Sequence, residues 1–359
     1  MRKFVSIILC VSMLFCIVAL SGCSASTSEE LQQRAVVDML DKTIELPKIV
    51  EKYCILYSSA VPMCGMLDDG FAHMCICPTL YADWTYELFP DLDEHAITVD
   101  KKSVTAEQII NEGAQVVFWS SSTHIELVQT LERLGIACVN VSVNDAEDLL
   151  HAMNIIAETL GTDFAKEQLV KYEAKFSEYQ AYAEEHSVDI PENEKKSILV
   201  LGGVDDTTGF GKDAYEAYWA DLVGLDYIIP SSDGADKVTL TMEQIYEFDP
   251  DIIVVEGFFD EESIYNDPSW NSLRAVQNHM IISNPSVLDT WSKPGAEAPL
   301  QYIWAFSALN ADYAGEVDVM AEVIAFYKDF YQYEMSEEDA TEMLAGHRII
   351  FDDKLNDEY

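Results

Sequence analysis

The sequence predicts an α/β protein in which two lobes bracket one long helix, with a ligand cleft where strand ends of the two lobes face each other. Three observations carry this expectation. A helix-to-strand passage is written twice without a gap, as TAEQIINEGAQVVFWS from Thr105 to Ser120 and as TMEQIYEFDPDIIVVE from Thr241 to Glu256. Short apolar runs rich in β-branched residues alternate with helical stretches in both halves, the pattern of strands covered on both faces. Between the halves, a tract from about Ala146 to His186 keeps helical periodicity, broken at Gly161 and Thr162.

In chain order, Arg2 and Lys3 precede an apolar stretch from Phe4 to Leu20, the layout of an export signal. Leu20-Ser21-Gly22-Cys23 resembles the bacterial lipobox, in which cleavage precedes the cysteine and that cysteine carries lipid. Residues 1–22 are therefore expected to be a signal peptide and 23–35 a lipidated flexible tether, small and polar from Ser24 on. An N-terminal α/β lobe follows over 36–145, beginning with strand-like pieces on either side of Pro47. The spine is expected over 146–190; in its second part Ala165, Leu169, Tyr172, Phe176, Tyr179 and Ala183 recur at steps of four and three, an amphipathic stripe. The polar PENEKK closes it. A second α/β lobe over 191–335 opens with SILVLGG and continues through the helical AYEAYWADLVG, the duplicated unit, MIISNP and the start of the helical AEVIAFYKDFYQYEMSEEDATEMLAG, and 336–359 are a C-terminal helix and tail.

Each duplicated unit begins with Thr and places Gln three residues later, a capping box that satisfies free backbone donors at a helix start. The helical pattern then stops at Gly113 or at Asp249-Pro250, and a buried strand follows. Each copy thus delivers a strand end to the cleft, which makes Ser120 to His124 and Glu256 to Phe259 opposing lips of one site.

Charge narrows the function classes. Lys and Arg number 21 against 64 Asp and Glu, a formal −43, so nucleic acid is repelled and anionic ligands find few cations. Past the signal the arginines are Arg34, Arg133, Arg274 and Arg348, none at a predicted lip. The cysteines beyond Cys23 are Cys54, Cys64, Cys75, Cys77 and Cys138; an odd set leaves a free thiol and is no disulfide framework.

With lobe, spine and lobe in place, the sequence resembles the substrate-binding lipoproteins of ABC importers for iron complexes and vitamin B12. The resemblance runs from about Val36 to Tyr333. It rests on DMLDKTIELP, the two helix-to-strand units, DPSWNSLRAVQNHMIIS and WSKPGAEAPLQYIWAFSAL, although the first unit has Ala114-Gln115 where the family has a Pro-Asp pair. The resemblance implies two Rossmann-like lobes on a rigid helix, no enzymatic activity and no cofactor. It also implies an extracytoplasmic lipid-anchored protein, a small-molecule metal complex as ligand, and an ABC permease with its ATPase as partner. Docking by paired acids is part of the same implication, with Asp68 and Asp69 in lobe one and Asp205 and Asp206 in lobe two as loop candidates.

Candidate ligand-binding residues are the aromatics Tyr81, Trp84, Phe210, Tyr215, Phe258 and Trp291, able to stack on a bulky ligand, together with Ser121 and His124 at the first lip. Tyr218 and Trp219, on a helix, are assigned to the core. Met63, Cys64, His73, Cys75 and Cys77 form a soft-ligand cluster suited to Cu(I), Ni or Zn; its spacing matches no zinc template, and Cys and Met also fill cores. GGVDDTTGFGKDA imitates a dinucleotide fingerprint, but VDDTT separates its glycines from the strand, and a cleft loop is the better reading. The expected function is capture of an iron complex such as a siderophore or haem. The alternatives are cobalamin, a bare transition-metal ion, or a metal-handling enzyme of the envelope on the same scaffold.

Overall fold

The computed structural model describes residues 34–78, 84–100, 102–204, 207–231, 237–257, 259, 261–349 and 351. Cys23, Tyr81, Asp205, Asp206 and Phe258 lie outside them.

Lobe one starts with a two-stranded antiparallel hairpin, β1 (Arg34–Val37) and β2 (Thr43–Leu46). The buried carboxylate of Asp38 closes its turn by accepting from Leu40 N (2.9 Å) and Lys42 N (3.1 Å). The remaining elements are β3 (Tyr53–Ile55), α1 (Ala60–Leu67), β4 (Met74–Pro78), α2 (Thr85–Leu88), α3 (Leu92–His95), β5 (Ile97–Val99), α4 (Ala106–Asn111), β6 (Val116–Trp119), α5 (Ile125–Arg133) and β7 (Ala137–Asn140). The strands form one parallel sheet in the order β5-β4-β3-β6-β7. Asp38 also accepts from Asn140 N at 3.2 Å, which ties the hairpin to β7.

Two helices follow, α6 (Ala146–Leu160) and α7 (Asp163–Ser187). Gly161, at φ 71°, ends the first, and the Thr162 side chain caps the second by accepting from Ala165 N. The 25 residues of α7 span roughly 37 Å. Its predicted stripe is buried, and it packs against α1 and α6 on the lobe-one side.

Lobe two comprises β8 (Ser197–Leu201), β9 (Thr208–Phe210), α8 (Tyr215–Leu222), β10 (Asp226–Tyr227), β11 (Lys237–Thr239), α9 (Met242–Phe248), β12 (Ile252–Val255), α10 (Glu261–Asn266), α11 (Arg274–Gln277), β13 (Ile281–Ser283), α12 (Ala298–Leu309), α13 (Val319–Tyr331) and α14 (Glu337–Leu344). Here β10, β12 and β13 run parallel to or along β8, while β9 and β11 turn back antiparallel at one edge. α12 lies along α7, with Phe176 and Tyr302 edge to face at 5.8 Å, and α13 adds Phe330 against Tyr172 at 5.8 Å.

After α13 the chain returns to lobe one. Tyr331 meets Phe89 (5.9 Å), Tyr333 meets Trp84 (6.0 Å) and donates to Glu87 (3.2 Å), and Phe351 packs on Trp84 at 4.6 Å. One hydrophobic core therefore runs from Tyr53 and Phe118 through the spine to Val200 and Val254, and a smaller one around Cys54, Val117 and Leu131 lines the other face of the lobe-one sheet. A shared core of this extent couples the lobes through packed side chains rather than a free linker.

Both capping boxes are present: Thr105 with Gln108 at the start of α4, and Thr241 with Gln244 at the start of α9. Each leads into a fully buried four-residue strand, β6 or β12. Gly113 (φ 81°) stops the first helix and Asp249 (φ 40°), ahead of Pro250, the second.

Candidate functional site

In each lobe the first strand lies between neighbours whose connections leave in opposite directions, β3 between β4 and β6 and β8 between β10 and β12. Crevices open at the carboxyl ends of such strands. The loops at these ends are Tyr57 to Ser59, Ser120 to His124 and Val141 to Asn144 in lobe one, and Gly202, Glu256-Gly257 and Asn284 to Lys293 in lobe two.

The lobe-one loops are tied to each other by hydroxyls. Ser120 and Ser122 pair at 3.0 Å, Ser142 donates to Ser120 at 3.2 Å, and Ser121 N donates to Ser142 at 3.0 Å. Burial raises the Tyr57 pKa above the usual phenol value.

Between the lobes lies a cavity of about 550 Å³. Lobe one contributes Asn144 and the first turn of α6 with Asp145, Ala146, Glu147 and Leu150; the spine contributes Phe176 and Gln180; lobe two contributes Asp213, Ala214, Tyr215 and Tyr218 at the start of α8. The Tyr215 and Tyr302 hydroxyls are 2.7 Å apart, and the rings of Tyr215 and Tyr218 lie 5.6 Å apart at 30°. The floor is therefore aromatic and the rim carboxylate.

Behind the lobe-two strand ends sits a second polar group. Ser292 donates to Glu256 at 2.7 Å, Lys293 Nζ lies 3.9 Å from Glu256 and 3.7 Å from Asp289, and the buried carboxyl of Glu216 lies against that of Glu256. Burial first, and the Glu256 charge second, push the Glu216 pKa up to about 9. Glu297 anchors the neighbouring loop by accepting from Leu288 N (3.2 Å), Asp289 N (3.1 Å) and Tyr327 (2.5 Å), and burial raises it to about 8.

Of the residues singled out from sequence, Tyr215 forms part of the cavity wall. Ser121 is exposed at its lip, and His124, at φ 63°, is half-buried as the N-cap of α5; neither lines the cavity. Three expectations are corrected by burial. Trp291 is fully enclosed. Phe210 is buried, its carbonyl accepting from Tyr227 at 2.7 Å. Trp84 is buried between Phe351 and Tyr333 in lobe one. Stacking on a ligand requires an open ring face, and other side chains already occupy these.

Asp68 is corrected likewise: it is 3 % exposed and accepts from Tyr53 (2.9 Å), His73 N (2.9 Å) and His73 Nδ1 (2.6 Å), so it cannot meet a partner protein. Asp69 is exposed. The soft-ligand cluster is dispersed. Met63, Cys64 and Cys77 lie in the main core, Cys75 belongs to the smaller core on the other sheet face, and His73 is taken by Asp68. Burial raises Cys75 to about 11 and Cys77 to about 12, which keeps both as neutral thiols. Among the described residues no three His, Cys, Asp or Glu side chains are grouped to hold a metal ion.

Sequence reasoning missed Tyr218, which is 38 % exposed while its neighbour Trp219 is core. It also missed Asp145, Glu147, Phe176, Gln180 and Asp213. A signal existed for Tyr215 and Tyr218, three apart on one helix and so on one face.

Residues 116–288, from β6 through the spine to the loop after β13, match the family described as periplasmic binding protein. The molybdate-binding protein MolA of Haemophilus influenzae is 22% identical over 339 residues, covering 86% of this chain and 94% of that protein. Its molybdate-bound structure superimposes with a TM-score of 0.73 at 18% identity, covering 84% of this chain and 99% of that one. A periplasmic solute-binding protein of Veillonella parvula gives a TM-score of 0.75 at 20% identity, covering 87% of this chain and 96% of that one. The Ni(II)-bound CeuE of Helicobacter pylori gives 0.66 at 16% identity, covering 86% and 98%. With its two parallel-sheet lobes and its long helix α7, the chain has the fold of these periplasmic solute-binding proteins, and residues 116–288 match the periplasmic binding protein family; neither Ser120 to His124 nor Glu256-Gly257 lines the cavity.

Proposed function

We propose that the protein is the lipid-anchored solute-binding component of an ABC importer, and that it captures a metal complex in the interlobe cavity and delivers it to the permease. The observation that carries this reading is the cavity itself, walled by both lobes and the spine. Its volume of about 550 Å³ suits a small molecule and is far larger than a bare ion needs. An iron complex, a siderophore or haem, is the first ligand class, with cobalamin the alternative; MolA and CeuE, named or solved with molybdate and Ni(II), support a metal-containing ligand in general. A bare transition-metal ion would need a ligand cluster that the described residues do not supply. Asp69, Asp205 and Asp206 remain the docking carboxylates of this proposal.

Equilibrium dialysis against haem, cobalamin, ferric hydroxamates, ferric catecholates, molybdate and Ni(II) tests it. Micromolar or tighter binding of one complex, weakened by Tyr218→Ala, is expected; binding of a bare ion alone, indifferent to Tyr218, would overturn it. The anchor has its own test. The resemblance of Leu20-Ser21-Gly22-Cys23 to a lipobox supports attachment at Cys23. Metabolic labelling with palmitate should tag the wild-type chain and not Cys23→Ala; a labelled variant would move the anchor elsewhere.

A further inference from the structure

Two helices begin at the cavity, and both beginnings are acidic. α6 starts there with Asp145 as its N-cap and Glu147 in its first turn, and α8 starts there directly after Asp213 and Ala214. A helix N-terminus carries about half a positive charge, so the two contribute about +1. The lining carries three carboxylates and no Lys, Arg or His among the described residues. The carboxylates win, and the balance is about −2.

The α6 terminus is moreover already occupied from within. Asp145 accepts from Asp148 N at 2.8 Å, and Asp148 accepts from Asn144 N at 3.1 Å. An incoming anion would have to displace these side chains and also meet Glu147 and Asp213. Lys293, behind the lobe-two strand ends, does not line the cavity and is engaged by Asp289 and Glu256.

The aromatic floor points the same way. Tyr215 commits its hydroxyl to Tyr302 and its ring is buried, so Tyr218, 38 % exposed, is the ring whose surface faces the cavity. With Tyr215 and Phe176 packed behind it, that ring borders a space rimmed by three carboxylates. Aromatic faces attract cations, and more strongly where water is excluded. The formal −43 of the whole chain draws cations from longer range.

We infer that the cavity selects a positively charged metal chelate, held between the open ring of Tyr218 and the carboxylates of Asp145, Glu147 and Asp213. This rests on the capture reading above and adds the sign of the cargo. A bare oxyanion such as molybdate is disfavoured here by the same charges.

The test uses three substitution-inert octahedral Co(III) complexes, all compact and non-aromatic and differing in charge: the tripositive tris-ethylenediamine, the neutral tris-acetylacetonate and the trinegative tris-oxalate, with molybdate as a fourth probe. Equilibrium dialysis at fixed ionic strength is expected to rank them cation, neutral, anion. Asp145→Asn, which retains a capping side chain, Glu147→Gln and Asp213→Asn should each weaken the cation by about two- to fivefold and leave the neutral complex unchanged. Three substitutions alter the total charge of the chain only slightly, so their effect reports the cavity. Tighter binding of the trinegative complex or of molybdate than of the neutral complex would overturn the inference, as would carboxamide variants that bind the cation like wild type. An anion that binds best but is lost in Tyr218→Ala would leave the capture site in place and refute only its charge preference. If none of the four probes binds below millimolar concentration, selection by charge is refuted, while the capture reading stands or falls on its own ligand panel.

Discussion

Glu216, in the first turn of α8, lies carboxyl to carboxyl against Glu256, just past the end of β12, inside lobe two, and burial together with the Glu256 charge makes Glu216 hold its proton. Lys293 offsets part of the remaining charge, and Ser292 donates to Glu256. The pair stands behind the lobe-two cleft loops and links α8, which walls the cavity, to the loop carrying Asp289.

A pH dependence of stability follows. With its folded pKa raised from the ordinary 4.5 to about 9, Glu216 keeps in the native state a proton that the unfolded chain has released. Stability from this group is complete below about pH 4.5 and declines as pH rises toward about 9. Glu297, raised to about 8, slopes the same way. Melting temperature measured at successive pH values from 6 to 9 should fall, and Glu216→Gln should make the fall shallower without removing it; equal slopes in both proteins would rule out a proton held on Glu216.

Asp68→Ala should destabilise by about 2–4 kcal/mol, because it leaves the Tyr53 hydroxyl and the His73 backbone amide without their acceptor in the lobe-one interior. Denaturant unfolding measures this. Asp69→Ala, at an exposed position, should unfold like wild type, and a comparable loss there would contradict the burial difference between the two neighbours.

Tyr218 and Trp291 should separate binding from folding. Trp291→Ala removes a fully enclosed side chain and should cost about 3–5 kcal/mol, while ligand affinity measured well below the melting temperature stays within about twofold. Tyr218→Ala should show the converse, a small change in melting temperature with a clear loss of affinity. A Trp291 variant that folds normally but fails to bind would return that ring to the ligand.

The thiols should be silent in the native protein. Cys54, Cys64, Cys75, Cys77 and Cys138 are all buried and unpaired, with Cys75 raised to about 11 and Cys77 and Cys138 to about 12 by burial. A disulfide reagent at pH 8 should modify them slowly in the folded state and all five promptly in concentrated guanidinium. Fast native labelling of Cys75 would show that β4 opens.

Much of the architecture was legible because its signals are local. Thr105 and Gln108, like Thr241 and Gln244, sit one helical turn apart, so a capping box can be read from four consecutive letters and is present in both copies. The spine's stripe from Ala165 to Ala183 follows from the 3.6-residue period alone, and Gly161-Thr162 breaks it where a left-handed C-cap adjoins an N-cap. Single-residue roles were read less well. Phe210 and Trp291 belong to irregular segments, where exposure is the ordinary expectation, yet Tyr227 meets the Phe210 carbonyl and the core closes over Trp291. Tyr218, on a helix, opens instead onto the cavity.

The sequence by itself determined the alternation of strand and helix, the duplicated unit, the long spine and the acidic character, since each depends on neighbours within a turn or two or on composition. The cavity was decided only in three dimensions. Its walls come from the start of α6, the middle of α7 and the start of α8, segments that no local period relates and that meet because α12 and α13 pack the spine against lobe two while α1 and α6 pack it against lobe one. Which carboxylates face a ligand, and which rings remain open to it, follows from that long-range packing.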